Sequence, residues 1–101
     1  MAEGSVSKIG ELLRLEEYGV VTFVSTTAAL KGEKVMKDSE YAFVVMPTPR
    51  EITTSCGLSL KIKSEDIRPV AGYLANNAIG VEGLFRLKKK DGRREVTVLE
   101  K

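Results

Sequence analysis

The sequence predicts an α+β domain with a ferredoxin-like βαββαβ core, an antiparallel sheet with helices on one face. Segments of strand length, rich in apolar and β-branched residues, alternate with two segments whose apolar residues recur at helical spacing. Residues 56–63 alternate apolar and polar side chains, as in a strand with one buried face and one wet face. Because crossovers are right-handed, the first and third strands are expected at the sheet centre, with both helices on one face.

An amphipathic segment precedes this core. Residues 6–17 place Val6, Ile9 and Leu12 on one side of a helix and charged residues on the other. Such a helix either covers part of the domain's own core, which we favour, or offers a surface to a partner. A length of 101 residues suits one domain. The predicted organisation is a single domain (1–101) with an N-terminal helical extension (1–18), a ferredoxin-like core (20–88) and a C-terminal strand extension (89–101).

The first half of the core is predicted as strand, helix and strand. Residues 20–25 are β-branched and aromatic, which favours a strand. The hydroxyl residues 25–27 are candidate N-caps for a helix over residues 28–37. Residues 41–46 then form a second apolar strand. Since a crossover makes these two strands parallel, the loop after the second strand lies at the end of the sheet where the helix begins.

The second half repeats the strand–helix–strand order and adds a hairpin. After the third strand, acidic residues open a helix in which Asp66 is the expected N-cap, because Pro69 fits only the first turn. Residues 81–89 form the fourth strand. The Asp-Gly pair at residues 91–92 predicts a type I′ turn that leads to a hairpin strand at residues 94–99.

The loop at residues 47–57 is the candidate functional site. It holds the chain's only cysteine, Cys56, together with an arginine and several hydroxyls, and two prolines stiffen its start. Gly57 would let the backbone turn sharply or approach a bound group. Backbone amides and hydroxyls beside a helix N-terminus could cradle an anion or a bound sulfur species. The candidate binding residues around Cys56 are Arg50, Thr53, Thr54, Ser55, Gly57, Thr26 and Thr27.

The residues alone leave two interpretations of Cys56 open. Cys56 is separated by an even number of residues from the apolar Leu58, Leu60 and Ile62, so in a strand its side chain points to the same face as theirs. Its thiol is therefore expected at the rim of the helix-covered face. Unpaired cysteines are often buried and only fill space, and the pattern alone favours this interpretation. A thiol beside a helix N-terminus and Arg50 would instead be favoured in its thiolate form, which is the reactive one.

Composition excludes several classes of site. The chain has no histidine, which excludes a Cys/His zinc site, a Ser-His-Asp triad and a Cys-His nucleophile pair. We expect no metal and no cofactor. A net charge of +2 is too small to predict nucleic-acid binding. The sequence has no apolar run of membrane-spanning length, no signal-peptide pattern at its start and no cysteine pair, so a cytoplasmic location is expected.

Two separated runs carry a resemblance to a known family. Residues 47–50 (Pro-Thr-Pro-Arg) and 55–58 (Ser-Cys-Gly-Leu) resemble, in order, the motif of the putative selenium/sulfur carrier protein-like family of small bacterial proteins. Residues 23–34 are similar to that family's first strand and helix, with Gly32 where alanine is expected. The resemblance covers about residues 20–87 and leaves out the N-terminal helix and the C-terminal hairpin strand.

The resemblance favours a carrier protein over a true enzyme. It implies that Cys56 holds sulfur or selenium as a persulfide or selenyl sulfide, with Arg50 and the hydroxyls of residues 53–55 stabilising the charged terminal atom. The implied partners are TusA-like sulfur-carrier proteins, a cysteine desulfurase and selenophosphate synthesis. Since the chain has no second cysteine to resolve a persulfide, discharge would occur to another protein.

Two other functions fit the predicted fold. One is a non-catalytic small-ligand-binding or protein-interaction module, including a homodimer, in which Cys56 is structural. The other is RNA binding through the open sheet face, which we disfavour because Ser59, Lys61 and Lys63 come with no aromatic residue for base stacking. The basic residues around the hairpin turn are interpreted as a solvated tip. We expect neither nucleic acid nor a membrane among the partners.

Overall fold

The computed structural model describes residues 15–54 and 56–100. In these ranges the chain forms five strands and two α-helices, with a short 3₁₀ turn before the second helix. Neither helix of the described part is long and apolar enough to cross a membrane. The elements are β1 (Glu17–Phe23), α1 (Thr26–Lys37), β2 (Val44–Pro47), β3 (Leu58–Ile62), α2 (Ile67–Asn76), β4 (Val81–Lys90) and β5 (Arg93–Glu100).

The five strands join one antiparallel sheet in the order β2-β3-β1-β4-β5. The first and third strands are neighbours between β2 and β4. The register places Val21 opposite Leu60 of β3 and Leu84 of β4, so these three side chains share one face. The predicted α+β class, the antiparallel sheet and the C-terminal hairpin strand are confirmed.

The two helices cover this face of the sheet and bury the main core of the domain. Apolar residues of α2 recur at i, i+3 and i+7, so Ile67, Val70 and Leu74 all face the core. The first turn of α1 contains the small residues Ala28 and Ala29, which let its backbone approach the strands. The buried residues of this helix-covered core are Val21, Phe23, Ala28, Ala29, Met36, Cys56, Leu60, Ile62, Ile67, Val70, Leu74 and Leu84.

The opposite face of the sheet is also largely buried, which differs from the wet face that the alternating pattern predicts. A second apolar cluster there joins Tyr18 and Val20 of β1 to Phe85 and Leu87 of β4. Val20 and Leu87 are both 0% exposed. Ile52, from the loop after β2, packs into the same cluster. The loop that the sequence singles out for chemistry therefore covers part of the second face.

The start of β1 differs from the prediction. The sequence predicts Glu17 at the end of a helix, but Glu17 opens β1 because the long strand β4 offers it a partner in Lys88. One more backbone bond extends this pairing, since the Lys89 N–H donates to the Glu16 carbonyl at 2.8 Å. Residues 1–14, which hold the rest of the predicted N-terminal helix, lie outside the described residues.

A bulge near the start of β4 changes the face of the sheet to which its side chains point. The alternating pattern predicts Val81, Phe85 and Leu87 on one face. The β1–β4 register shifts between Thr22 and Phe23. Because of this shift, Val81 packs on the helix-covered core, whereas Phe85 and Leu87 pack in the second cluster.

The β4–β5 hairpin turn follows the sequence prediction. Asp91 and Gly92 have φ angles of 52° and 77°, and a type I′ turn requires positive φ at both positions. β5 then pairs with β4 from Arg93 opposite Lys90 to Glu100 opposite Leu84. β5 therefore forms one edge of the sheet, and β2 forms the other.

Gly19 allows α2 to begin very close to β1. A Cβ added at Gly19 would lie 2.4 Å from Cγ1 of the buried Ile67.

We predict that Gly19→Ala lowers the free energy of unfolding by about 1–3 kcal/mol, because Ile67 has to shift within a filled core. The control is Gly72→Ala in α2, where the added Cβ meets nothing within 4 Å. We expect it to stabilise the fold by up to about 1 kcal/mol, through helix propensity. Urea unfolding measures both variants, and a fully stable Gly19→Ala protein would contradict the close approach.

Candidate functional site

Cys56 lies just before β3, with its side chain in the helix-covered core. The residue is 1% exposed. The N–H of Leu58 donates a hydrogen bond to Cys56 Sγ at 3.4 Å. The thiol in turn donates to Thr26 Oγ1 at 3.8 Å. The sulfur is therefore held between the start of β3 and the first turn of α1.

The N-terminus of α1 forms one wall of the site. Ser25 is its N-cap, and the Ser25 hydroxyl accepts the Ala28 N–H at 3.0 Å. Val24 also donates its N–H to the Gly80 carbonyl at 3.0 Å, so the turn before β4 reaches this end of the sheet. The predicted meeting of the cysteine's loop with residues 25–27 is thus observed through Thr26.

Thr48 closes the base of the loop at residues 48–57, hereafter the cysteine loop. Its N–H donates to the Gly57 carbonyl at 2.8 Å. Its hydroxyl lies 3.1 Å from the Cys56 carbonyl, to which it can donate, and 2.6 Å from the hydroxyl of Ser59. Ser59 is 1% exposed, although the alternating pattern predicts it on a wet face. Burial of Ser59 is possible because Thr48 satisfies its hydroxyl.

The middle of the cysteine loop extends over the second face of the sheet. A turn joins the Ile52 N–H to the Pro49 carbonyl at 3.0 Å and directs Ile52 into the second apolar cluster. The carboxylate of Glu51 accepts from Nε of Arg94 on β5 at 3.0 Å. The cysteine loop therefore buries Cys56 on one face of the sheet and Ile52 on the other, and it reaches the far edge strand.

Thr54 links the cysteine loop to the start of β4. Its hydroxyl donates to the carboxylate of Glu82. The same oxygen accepts the Cys56 N–H at 3.4 Å. The backbone on the N-terminal side of the thiol is thus fixed to the sheet through one side chain.

The structure brings only some of the predicted site residues together. Thr26 and Thr54 lie beside Cys56, and Gly57 contributes its carbonyl to the loop base. An added Cβ at Gly57 meets nothing within 4 Å, so its backbone needs no glycine on steric grounds. Three further predicted residues are exposed and their side chains make no hydrogen bond or ion pair within the described chain, and a fourth lies outside the described residues. The three are Arg50, Thr53 and Thr27, and the fourth is Ser55.

Sequence reasoning missed three residues that position the cysteine loop. Thr48 and Glu82 gave no signal, since hydrogen bonds between distant side chains leave no local pattern. Ile52 did give one, because it is the only branched apolar side chain between Met46 and Leu58. An aliphatic residue in a polar loop indicates an anchor in a core. Among the described residues, no group of three or more His, Cys, Asp or Glu side chains is placed to hold a metal ion.

Thr48 can be tested as the anchor of the loop base. We predict that Thr48→Val lowers the free energy of unfolding by about 1–3 kcal/mol, because the buried Ser59 hydroxyl loses its partner. Thr53→Val is the matched control, since Thr53 is exposed in the same loop, and its effect should stay within about 0.5 kcal/mol. Urea unfolding of both variants measures the difference. Equal effects would show that Thr48 does not anchor the loop.

Comparison with known proteins identifies the family of the chain. The family model described as "Putative Se/S carrier protein-like" matches residues 18–86, from β1 through most of β4, and so includes the cysteine loop. No curated protein and no solved structure matches the chain. The family match confirms the resemblance that the loop motif indicates, with β5 outside it. Because the match covers more than half of the 101 residues, the chain belongs to the putative Se/S carrier protein-like family.

Proposed function

We propose that this protein carries sulfur or selenium on Cys56 and passes it to a partner protein. Family membership supports the proposal. The observation that carries it is local: the Leu58 N–H points at Cys56 Sγ, and Thr26 of the first turn of α1 lies beside the same atom. These two contacts hold the sulfur in one orientation, and a thiolate formed there is the species that attacks a donor persulfide.

Loading in this proposal is a sulfur transfer without net oxidation. The Cys56 thiol gives its proton to solvent, and the thiolate attacks the outer sulfur of a persulfide on the donor. An S–S bond forms at Cys56 while the donor's S–S bond breaks, and the donor leaves as a thiolate. In discharge, an acceptor thiolate attacks the outer sulfur and Cys56 leaves as the thiolate. A selenium atom in the outer position would move in the same way.

Burial sets a condition on this function. At 1% exposure, Cys56 meets a donor sulfur only after the cysteine loop moves. Among the described residues, the middle of the loop is held by the ion pair from Glu51 to Arg94 and by the apolar side chain of Ile52, while the hydrogen bond from Thr54 to Glu82 holds the part nearer to Cys56. Releasing these contacts leaves the pairing of β3 with β1 intact. We infer that local opening of the loop, rather than unfolding of the domain, admits the donor.

The remaining expectations belong to the same proposal. TusA-like sulfur-carrier proteins and a cysteine desulfurase are the proposed partner classes, in the cytoplasm, and selenophosphate synthesis is the proposed use of selenium. Arg50 and Thr53, exposed on the cysteine loop, are proposed to contact the outer sulfur or selenium atom after the loop moves. The strand order β2-β3-β1-β4 supports placing the core among ferredoxin-like domains.

A small-ligand-binding module with a structural Cys56 is the second candidate function. Burial of the thiol in the helix-covered core favours it, because unpaired cysteines often only fill space. A groove of about 290 Å³ between α2 and β4 gives such a module a ligand site, lined by Ala75, Ile79 and Leu84 among others. On this account Cys56→Ser keeps full function.

Sulfur loading tests the first proposal against the second. The protein is incubated with a low-molecular-weight persulfide, glutathione persulfide, and its intact mass is measured after the donor is removed. We predict a gain of one sulfur atom on Cys56 that a reductant removes, and no gain in Cys56→Ser. The urea-unfolded wild-type chain is the control for the chemistry of the thiol. A folded chain that gains no sulfur, while its unfolded form does, would support the structural role.

A further inference from the structure

Three basic side chains share the second face of the sheet at the end opposite Cys56. Side chains alternate between the two faces along each strand. By this alternation, Lys61 of β3, Lys89 of β4 and Arg94 of β5 lie on the same face as the second apolar cluster. Lys89 and Arg94 are directly opposite each other across the hairpin. Lys61 reaches toward them, with its Nζ 4.1 Å from the centre of the Tyr18 ring. These three residues are named the basic patch.

The charge of the basic patch is only partly balanced by carboxylates of the described residues. Like charges directly opposite each other in an antiparallel pair are unfavourable, and Lys89 faces Arg94 in this way. Within residues 15–54 and 56–100, no carboxylate lies within ion-pairing distance of Lys61 or Lys89. Burial lowers the pKa of Lys61, and repulsion from Lys89 lowers it further. An anion bound at the patch would offset the repulsion between these cations.

One carboxylate does occupy the edge of the patch, and it belongs to the cysteine loop. Glu51 accepts from Arg94 Nε at 3.0 Å, with the two side chains 34% and 37% exposed. A hydrogen bond to Tyr18 raises the pKa of Arg94 and the charge of Glu51 raises it further, although burial opposes the change, so Arg94 stays a cation. A solvent-accessible ion pair of this kind is weak and exchanges readily for another carboxylate.

We propose that the basic patch docks an acidic segment of a partner protein, whose carboxylate replaces Glu51 on Arg94 and thereby frees the cysteine loop to expose Cys56. This inference rests on the proposed carrier function, since it names the chemistry of the partner and the way that the partner reaches the thiol. Docking and loop release are then one event. The free protein exposes the thiol only in brief local openings of the loop, and a partner with the matching charge makes the open form more populated.

The observations favour an acidic protein over a nucleic acid. The patch already holds a carboxylate in a direct hydrogen bond, which shows that its shape accepts one. The aromatic side chain beside it, Tyr18, is 6% exposed and lies under Lys61, so it is not available for base stacking. The net charge of the chain is also only +2, which is weak for a surface that binds the phosphate backbone.

Binding of a fluorescent poly-glutamate peptide, measured by anisotropy at low ionic strength, tests the docking surface. We expect Arg94→Gln to weaken binding by about fivefold, the factor that corresponds to a strong exposed ion pair. Arg93→Gln is the matched control, because it makes the same charge change on the other face of the same strand. We expect Glu51→Gln to tighten binding, because it removes the internal competitor, and Glu95→Gln on the other face to leave it unchanged.

Reaction of Cys56 with the neutral reagent iodoacetamide tests the release of the loop. Poly-glutamate is expected to accelerate the reaction in the wild-type protein. Glu51→Gln is expected to raise the rate by up to about fivefold without the peptide, and to show little further acceleration with it. Neither readout requires sulfur transfer, so failure of the carrier function and failure of this inference are distinguishable.

Three results would overturn the inference. Equal losses of binding in Arg93→Gln and Arg94→Gln would show that only net charge matters. Unchanged binding and labelling in Glu51→Gln would show that Glu51 does not compete with the peptide. A single-stranded DNA of equal charge that binds through Arg94 at least as tightly as the peptide would assign the patch to nucleic acid.

Discussion

The rest of the site depends on the path of the cysteine loop across the sheet. Thr48 fixes its base through the carbonyls of Cys56 and Gly57 and through the buried hydroxyl of Ser59. From this base the chain buries Ile52 on one face of the sheet and the thiol on the other. One short segment therefore belongs to both apolar clusters, and movement of either buried side chain affects the backbone that carries the other.

This arrangement explains how a thiol can be both oriented and covered. The Leu58 N–H and Thr26 fix the direction of the sulfur, while the helix-covered core excludes water from it. A permanently exposed persulfide would lose its outer sulfur to any thiol it met. A carrier whose cysteine is reached only through a weakly held loop avoids that loss, and its specificity then lies in whatever opens the loop.

The sequence predicts most of the fold and only part of the site, and particular residues show why. Strand and helix periodicity and turn residues are local, so the helix-covered core and the turn at Asp91 and Gly92 could be predicted. The meeting of Cys56 with Thr26 could be predicted because a crossover connection makes the first two strands parallel. Burial of the second face could not, because it depends on a loop folding back over distant strands. The bulge in β4, where Glu82 is the extra residue between the partners of Thr22 and Phe23, reverses the facing of the side chains that precede it. Gly83 beside it is compatible with a bulge but does not fix its position in the register.

The most direct test is the rate at which Cys56 reacts with iodoacetamide across a series of urea concentrations below the unfolding transition. The global free energy of unfolding is measured in parallel by circular dichroism. If the cysteine loop opens locally, the rate without urea exceeds the rate that global unfolding allows, and it changes little with urea because little surface is exposed. A rate that follows the global unfolding equilibrium at every urea concentration would contradict the account, since Cys56 would then be reachable only in the unfolded chain.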